Sequence, residues 1–274
     1  DSQAPQHALA KSPKPAFHTP EIRMRPLQLG LPALDAFPRK LWNRLINKHA
    51  RCTTADQLGY SSAFGYFPLR QAITNYLAIS RGVSCEPEQV FITSGFQGAL
   101  AMIMQTLGCS AAKSGDYSVG TERNSGNQVW CEDPGYFRAR DCLQQLGFSI
   151  VPVPVDQDGM QISAGYKIAP AAKFALVTPT HQSPLGVTLS LTRRMELLHW
   201  AESKGSWIIE DDYDSEFRYG EKPLPALKSL DANNRVIYTG SFSKVLIPSL
   251  KLGYIVVPNA LQACFEQSFS TLWA

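Results

Sequence analysis

Long apolar runs are missing from this 274-residue sequence. No stretch approaches the roughly 18 uninterrupted residues that a membrane-spanning helix needs, which argues against a membrane protein. Charge is also sparse: Asp, Glu, Lys and Arg make up 18% of the chain, and 26 basic against 23 acidic residues leave a formal net charge of +3. A surface that grips nucleic acid along its length needs a far more basic balance, so DNA is not expected as a partner of these residues themselves. The first twenty residues are polar and Pro-rich and lack the basic-then-apolar layout of a secretion signal. The six cysteines, Cys52, Cys85, Cys109, Cys131, Cys142 and Cys264, form no C-x-x-C pair and no dense framework. Buried thiols in a reducing, cytoplasmic compartment are therefore expected, with neither zinc nor disulfides. G-x-S-x-G and G-x-G-x-x-G are absent too, which sets acyl transfer and dinucleotide binding behind other chemistries.

What is present is ample apolar sequence for a core, 44% of residues, in short runs that alternate with helical periods. Residues 90–93, 129–131, 148–153, 174–177, 207–209, 236–239 and 254–257 read as strands, whereas 97–107, 136–146 and 192–204 have helical spacing. Helices are also expected at 42–50, from Leu261 onward, and over 68–77, where proline opens the helix and Arg81-Gly82 ends it. The alternation predicts a three-layer α/β/α domain around a mostly parallel sheet, whose ligands bind beyond the carboxyl ends of the strands. Residues 1–26, with five prolines, read as a linker-like arm, 27–274 as the domain, and 111–127 as an exposed loop.

Four segments that follow strands carry the chemistry. Ser94-Gly95-Phe96 opens a helix whose free N–H groups and dipole suit a phosphate, although such a turn alone is more often only a cap. Glu132-Asp133-Pro134-Gly135-Tyr136 ends a strand in a tight turn that presents an aromatic ring, either as a hydrophobic lid or as a stacking surface for a flat cofactor. Glu210-Asp211-Asp212-Tyr213-Asp214 follows an apolar strand. Asp212 and Asp214 read as a solvated turn, while Asp211 is expected to be partly buried and to need a cationic or hydrogen-bonding partner. Ser241-Phe242-Ser243-Lys244 places a lysine where burial lowers its pKa and frees a nucleophilic amine. Pyridoxal 5'-phosphate explains all four together, because it needs a Schiff-base lysine, an acid at its ring nitrogen, an anion cradle and a stacking ring.

With these residues in place the sequence resembles the fold-type I pyridoxal-phosphate enzymes, and among them the aminotransferase-like domain of MocR-type regulators of the GntR superfamily. The resemblance rests on Glu210-Asp-Asp-Tyr-Asp-Ser-Glu-Phe-Arg-Tyr219, Pro223-Leu-Pro-Ala-Leu227 and Arg235-Val-Ile-Tyr-Thr-Gly-Ser-Phe-Ser-Lys244, with Leu29-Gly-Leu-Pro32, Phe37-Pro38 and Trp42 near the start. It implies that Lys244 forms the Schiff base, Asp211 pairs with the ring nitrogen, Tyr213 bonds the phenolic oxygen and Tyr136 stacks on the ring. It further implies a phosphate on the backbone of Ser94, Gly95 and Phe96 with Ser241 and Lys251, and Tyr60 reaching the phosphate of the other subunit of a homodimer.

The sequence departs from the family at two places. Lys251 stands where arginine is usual, which keeps the charge and loses the bidentate fork. Thr180-His181-Gln182-Ser183-Pro184 replaces the aminotransferases' Asn-Pro-Thr-Gly, a MocR-like trait that makes His181 and Gln182 further pocket candidates, with an ordinary strand-end turn as the other account. The resemblance also implies that a C-terminal small domain with the carboxylate-binding arginine, and a winged-helix domain that would contact DNA, are not within this chain. Three readings follow. The first is a MocR-type effector domain sensing an amino acid or amine, the second a free-standing aminotransferase acting on an amino acid and a 2-oxo acid, and the third a dimerisation module that no longer holds cofactor.

Overall fold

A computed structural model describes residues 30–60, 62–112, 127–217 and 225–272, with the backbone alone for 109–112. The expected arm 1–26, the side chain of Cys109 and most of the expected loop 111–127 lie outside the described residues. From Pro32 onward the chain forms one unit. Two helices, α1 (Arg39–Cys52) and α2 (Phe67–Arg81), precede the strands β1 (Val90–Thr93), β2 (Gln128–Asp133), β3 (Ser149–Asp156), β4 (Gly159–Met160), β5 (Phe174–Val177), β6 (Trp207–Asp212), β7 (Val236–Ser241) and β8 (Gly253–Val256). Between and after them run α3 (Gly95–Ala112), α4 (Phe137–Gln145), α5 (Ile162–Ile168), α6 (Leu191–Lys204) and α7 (Gln262–Leu272).

Local chemistry sets these boundaries. Pro68 sits in the first turn of α2, where its missing N–H costs nothing, and Gly82 ends the helix at φ 66°, a conformation a side chain would strain. At α6 the Ser190 side chain caps the N-terminus by accepting from Arg193 N, and Gly205 closes the other end at φ 61°.

All eight strands share one sheet in the order β1-β8-β7-β6-β5-β2-β3-β4. The pairs β7/β6, β6/β5, β5/β2 and β2/β3 are parallel, and the antiparallel pairs lie toward the two edges. Strand alternation splits the core in two. Val129, Cys131, Phe174, Leu176 and Ile209 pack with Leu100 and Ile103 of α3, Leu143 of α4 and Phe265 of α7. Trp130, Ala175, Val177 and Ile208 pack on the other face with Ile162 of α5 and Leu197 and Trp200 of α6. Helices thus cover both faces, the three-layer arrangement predicted from the runs. Among the described residues no helix is long and apolar enough to cross a membrane.

Candidate active site

Parallel pairing brings the candidate residues to one rim. Asp211 lies opposite Thr239 and Asp212 opposite Gly240 in the β6/β7 ladder, so the acidic run and the turn that carries Lys244 leave the sheet side by side. Thr93 of β1 and Ser241 of β7 both face Gly253 of β8, which gathers the Ser94 turn, Ser241 and the Lys251 segment at the same edge. The approach there is close: a Cβ on Gly253 would lie 2.9 Å from both the Gly240 carbonyl oxygen and Gly95 Cα. Gly95 itself opens α3 at φ 76°, leaving the first N–H groups of that helix without intrahelical partners. Ser241 Oγ accepts from Ser243 N at 3.1 Å and lies 2.9 Å from Ser243 Oγ, which tightens the turn into Lys244.

A small cleft opens beyond the strands, lined among others by Phe96, Glu132, Tyr136, Thr178 and Asp211. The Phe96 and Tyr136 rings meet at 6.1 Å between centroids. Asp211 is 6% exposed, and its Oδ1 has no hydrogen-bond partner among the described residues. Burial drives its carboxyl well above the ordinary value, and Asp212, Glu132 and Asp214 add to the shift while Lys244 opposes it. Lys244 is half-buried; desolvation lowers its amine pKa, and the carboxylates of Asp214 and Asp211 pull it back up. Tyr213 is held protonated by burial first and by the neighbouring Asp214 carboxylate next.

Several residues take roles the sequence hid. Asp212 is no solvated turn residue: it is 5% exposed and accepts from Arg81 Nε at 2.6 Å, with the Tyr238 hydroxyl on the same oxygen. Asp214, also read as solvated, is half-buried and lies 2.9 Å from His181 Nδ1. Gln182 is 1% exposed and serves the turn, its Nε2 reaching Glu132 Oε2 at 3.3 Å and Pro134 O at 2.8 Å while its Oε1 accepts from Leu185 N at 3.1 Å. In sequence Glu132 reads as part of a turn. Its carboxylate is buried, accepts from Thr178 Oγ1 at 2.6 Å, and is pushed up to about 7 by desolvation against those hydrogen bonds. The signal that could have found it is the one that found Asp211, an acid closing an apolar strand. Tyr60 is fully exposed and does not line its own chain's cleft.

Residues 40–273 match the family Aminotransferase class I and II. The chain belongs to that family. Among relatives it is 39% identical over 241 residues to the "Probable rhizopine catabolism regulatory protein MocR" of Rhizobium meliloti, covering 88% of this chain and 45% of that protein. The "2-aminoadipate transaminase" of Thermus thermophilus is 30% identical over 239 residues, 85% of this chain and 55% of that protein. The chain thus spans about half the length of the curated relatives it matches. Among solved structures, kynurenine aminotransferase of Pyrococcus horikoshii superposes with a TM-score of 0.75 at 28% identity, over 88% of this chain and 58% of that one. The fold of this family member is that of the fold-type I aminotransferases.

The family's cofactor is pyridoxal 5'-phosphate, and the residues present suit it. The buried Asp211 Oδ1, without a partner among the described residues, would suit a protonated ring nitrogen, and a buried carboxylate oxygen without a donor is otherwise an unrelieved cost. Gly95 and Gly253 bring backbone together where a Cβ would intrude, beside free helical N–H groups of the kind that hold phosphate.

Proposed function

We propose that the chain is the pyridoxal-phosphate-binding, aminotransferase-like effector domain of a MocR-type transcriptional regulator, with the cofactor attached through Lys244. The observation that carries the site is the buried Asp211, whose Oδ1 has no hydrogen-bond partner among the described residues, on the strand beside the one whose turn carries the half-buried Lys244. The regulator reading is favoured by 39% identity to the MocR protein against 30% to the 2-aminoadipate transaminase.

When bound, pyridoxal phosphate supplies an aldehyde that condenses with an amine and a ring that accepts electrons. The chain's own groups do the rest. Lys244 offers its amine, which desolvation keeps from holding its proton as firmly as an exposed lysine. Asp211 would hold a proton at the ring nitrogen, Tyr213 would donate to the phenolic oxygen, and Tyr136 would lie against the ring. The N–H groups of Ser94, Gly95 and Phe96 would hold the phosphate with Ser241, and Lys251 would add a charge without a fork.

In this reading residues 27–274 form the large domain, and the protein is cytoplasmic. Two copies associate so that Tyr60 of each reaches the other's phosphate site. Binding of an amino acid or amine at this site would shift a conformational equilibrium, which a winged-helix domain outside these 274 residues would read on DNA. The second reading is a free-standing aminotransferase, supported by the relatives and solved structures of that activity.

Borohydride reduction of the protein mixed with pyridoxal phosphate, followed by peptide mapping, tests the site. The label is expected on Lys244, with a yellow absorbance lost in Lys244→Ala; a label on another lysine overturns the assignment. Steady turnover of an amino acid with a 2-oxo acid would decide for the aminotransferase.

A further inference from the structure

One buried side chain joins two turns at the cleft. Gln182, between β5 and α6, is 1% exposed. Its Nε2 carries two hydrogens and lies 2.8 Å from Pro134 O, 2.9 Å from Ser183 O and 3.3 Å from Glu132 Oε2, while its Oε1 accepts from Leu185 N at 3.1 Å. The two short contacts take the hydrogens, and Glu132 shares one of them at longer range. The amide therefore bonds within its own turn and across to the turn that ends β2, where Tyr136 stands two residues beyond Pro134. Burying an amide is costly, and an apolar side chain would fill the same space, so what the amide adds is direction.

The Gln182 end of this tie is firmly anchored. Arg194 of α6, itself 1% exposed, donates Nε to Leu189 O and Nη2 to Pro179 O, each at 2.8 Å, and closes the base of the turn. Arg81 of α2 donates Nη2 to Thr180 Oγ1 at 2.9 Å, and Gln182 N donates to Val187 O at 2.9 Å. At the other end Tyr136 is held from behind by α4, where its carbonyl accepts from Ala139 N at 3.1 Å. Ahead of it the backbone is tight, since a Cβ on Gly135 would run into the Glu132 carbonyl. The bond from Gln182 to Pro134 O fixes that backbone against a neighbouring element.

We propose that Gln182 is a positioning residue for the Tyr136 ring: its amide holds the turn before Tyr136 so that the ring stays beside Phe96 at the cleft, set to meet a flat ligand. The inference rests on the reading that pyridoxal phosphate lies against Tyr136. Gln182 does not itself line the cleft, so it acts only through the turn it holds.

The test has one arm without cofactor and one with it. Gln182→Met keeps the length of the side chain and removes its donor and acceptor. In cofactor-free protein, nitration of Tyr136 by tetranitromethane is followed by peptide mapping and normalised to the exposed Tyr60. It is expected to speed up about threefold or more as the ring is released. Tyr166, which packs on Trp130 at the other face of the sheet, should keep its rate, whereas a general loosening would move both. With pyridoxal phosphate, the dissociation constant is expected to rise about 3- to 10-fold in Gln182→Met. In a Tyr136→Ala background the same substitution should leave it unchanged, because the amide works only through that ring. Thr188→Val removes a bond to Thr180 O within the same turn and is expected to change neither reading. Should Gln182→Met fail to fold, Gln182→Asn, too short to span both turns, is read in the same way. A Tyr136 rate that does not rise above that of Tyr166, an affinity loss that persists in full without the ring, or an equal response from Thr188→Val overturns the proposal. If borohydride marks Lys244 in the unaltered protein and Tyr136 does not respond, the inference alone fails. If it marks another lysine, the underlying reading fails and takes the inference with it.

Discussion

Arg81, in the last turn of α2, donates Nε to the Asp212 carboxylate at the end of β6 across 2.6 Å, and the two side chains are 2% and 1% exposed. The same guanidinium donates through Nη2 to Thr180 Oγ1 at 2.9 Å, and the Tyr238 hydroxyl of β7 joins the Asp212 oxygen. Because side chains alternate along a strand, Asp212 turns to the opposite face from Asp211. The acid beside the cleft is thus held in place by an ion pair behind it. Removing one member leaves the other buried and unpaired. Arg81→Ala or Asp212→Ala should each cost about 3–5 kcal/mol in urea unfolding. The apolar double variant Arg81→Met with Asp212→Leu should cost less than the sum, and an additive result would show that the charges do not act together.

The approach of β8 to the Ser94 turn makes Gly253 a second test. A methyl group there would sit 2.9 Å from Gly95 Cα and from the Gly240 carbonyl oxygen, and both neighbours are backbone that cannot swing aside. Gly253→Ala is therefore expected to cost about 1–3 kcal/mol through overpacking. It should also weaken retention of pyridoxal phosphate by moving the N-terminus of α3. Gly147→Ala, at φ 82° with nothing within 4 Å of its Cβ position, strains only the backbone and serves as the control that leaves retention unchanged.

The layered fold was legible because strands such as β1 and β5 are short apolar runs buried along nearly their whole length, and they begin and end where the runs do. The ends of β6 and β7 were not, since Asp211, Asp212 and Ser241 are polar and join the sheet only through ladder partners far along the chain. β4 has two residues and α5 seven, too few for a period to emerge. At the site, Asp211 and Lys244 could be read from their places after strands. Asp212 and Asp214 could not, because their partners Arg81 and His181 lie 131 and 33 residues away and a lone sequence does not say that they meet.

Glu132 gives a pH dependence with a definite sign. Desolvation pushes its carboxyl up from 4.5 to about 7 in the folded protein, so the folded state holds a proton that the unfolded chain has released across that interval. The stabilising proton is fully present below about 4.5 and is lost as the pH rises through about 7. Stability of the cofactor-free protein should fall over that window, by up to about 3 kcal/mol from this group. Glu132→Gln, which keeps the shape and an oxygen to accept from Thr178 but does not titrate, should flatten that part of the curve in urea titrations at several pH values. An unchanged slope would mean that Glu132 is already ionised when folded.

Asp211 should show the opposite balance between stability and binding. Its carboxyl is raised by burial beside three other acids and its Oδ1 has no partner, so in the cofactor-free protein it is a burden on the fold near neutral pH. Asp211→Asn keeps the shape and removes the charge, and it is expected to stabilise that form by about 1–2 kcal/mol, the behaviour of sites that trade stability for function. With pyridoxal phosphate the sign reverses, because asparagine cannot hold the ring nitrogen as a charged donor. A charge-assisted hydrogen bond of about 1.5–3 kcal/mol is lost, so the cofactor dissociation constant should rise by about 10- to 100-fold while borohydride still labels Lys244. Both arms are read on one preparation, by urea unfolding and by titrating the visible band. A variant that is less stable without cofactor, or that binds it as tightly as the parent, would show that Asp211 is an ordinary core residue and does not face the ring.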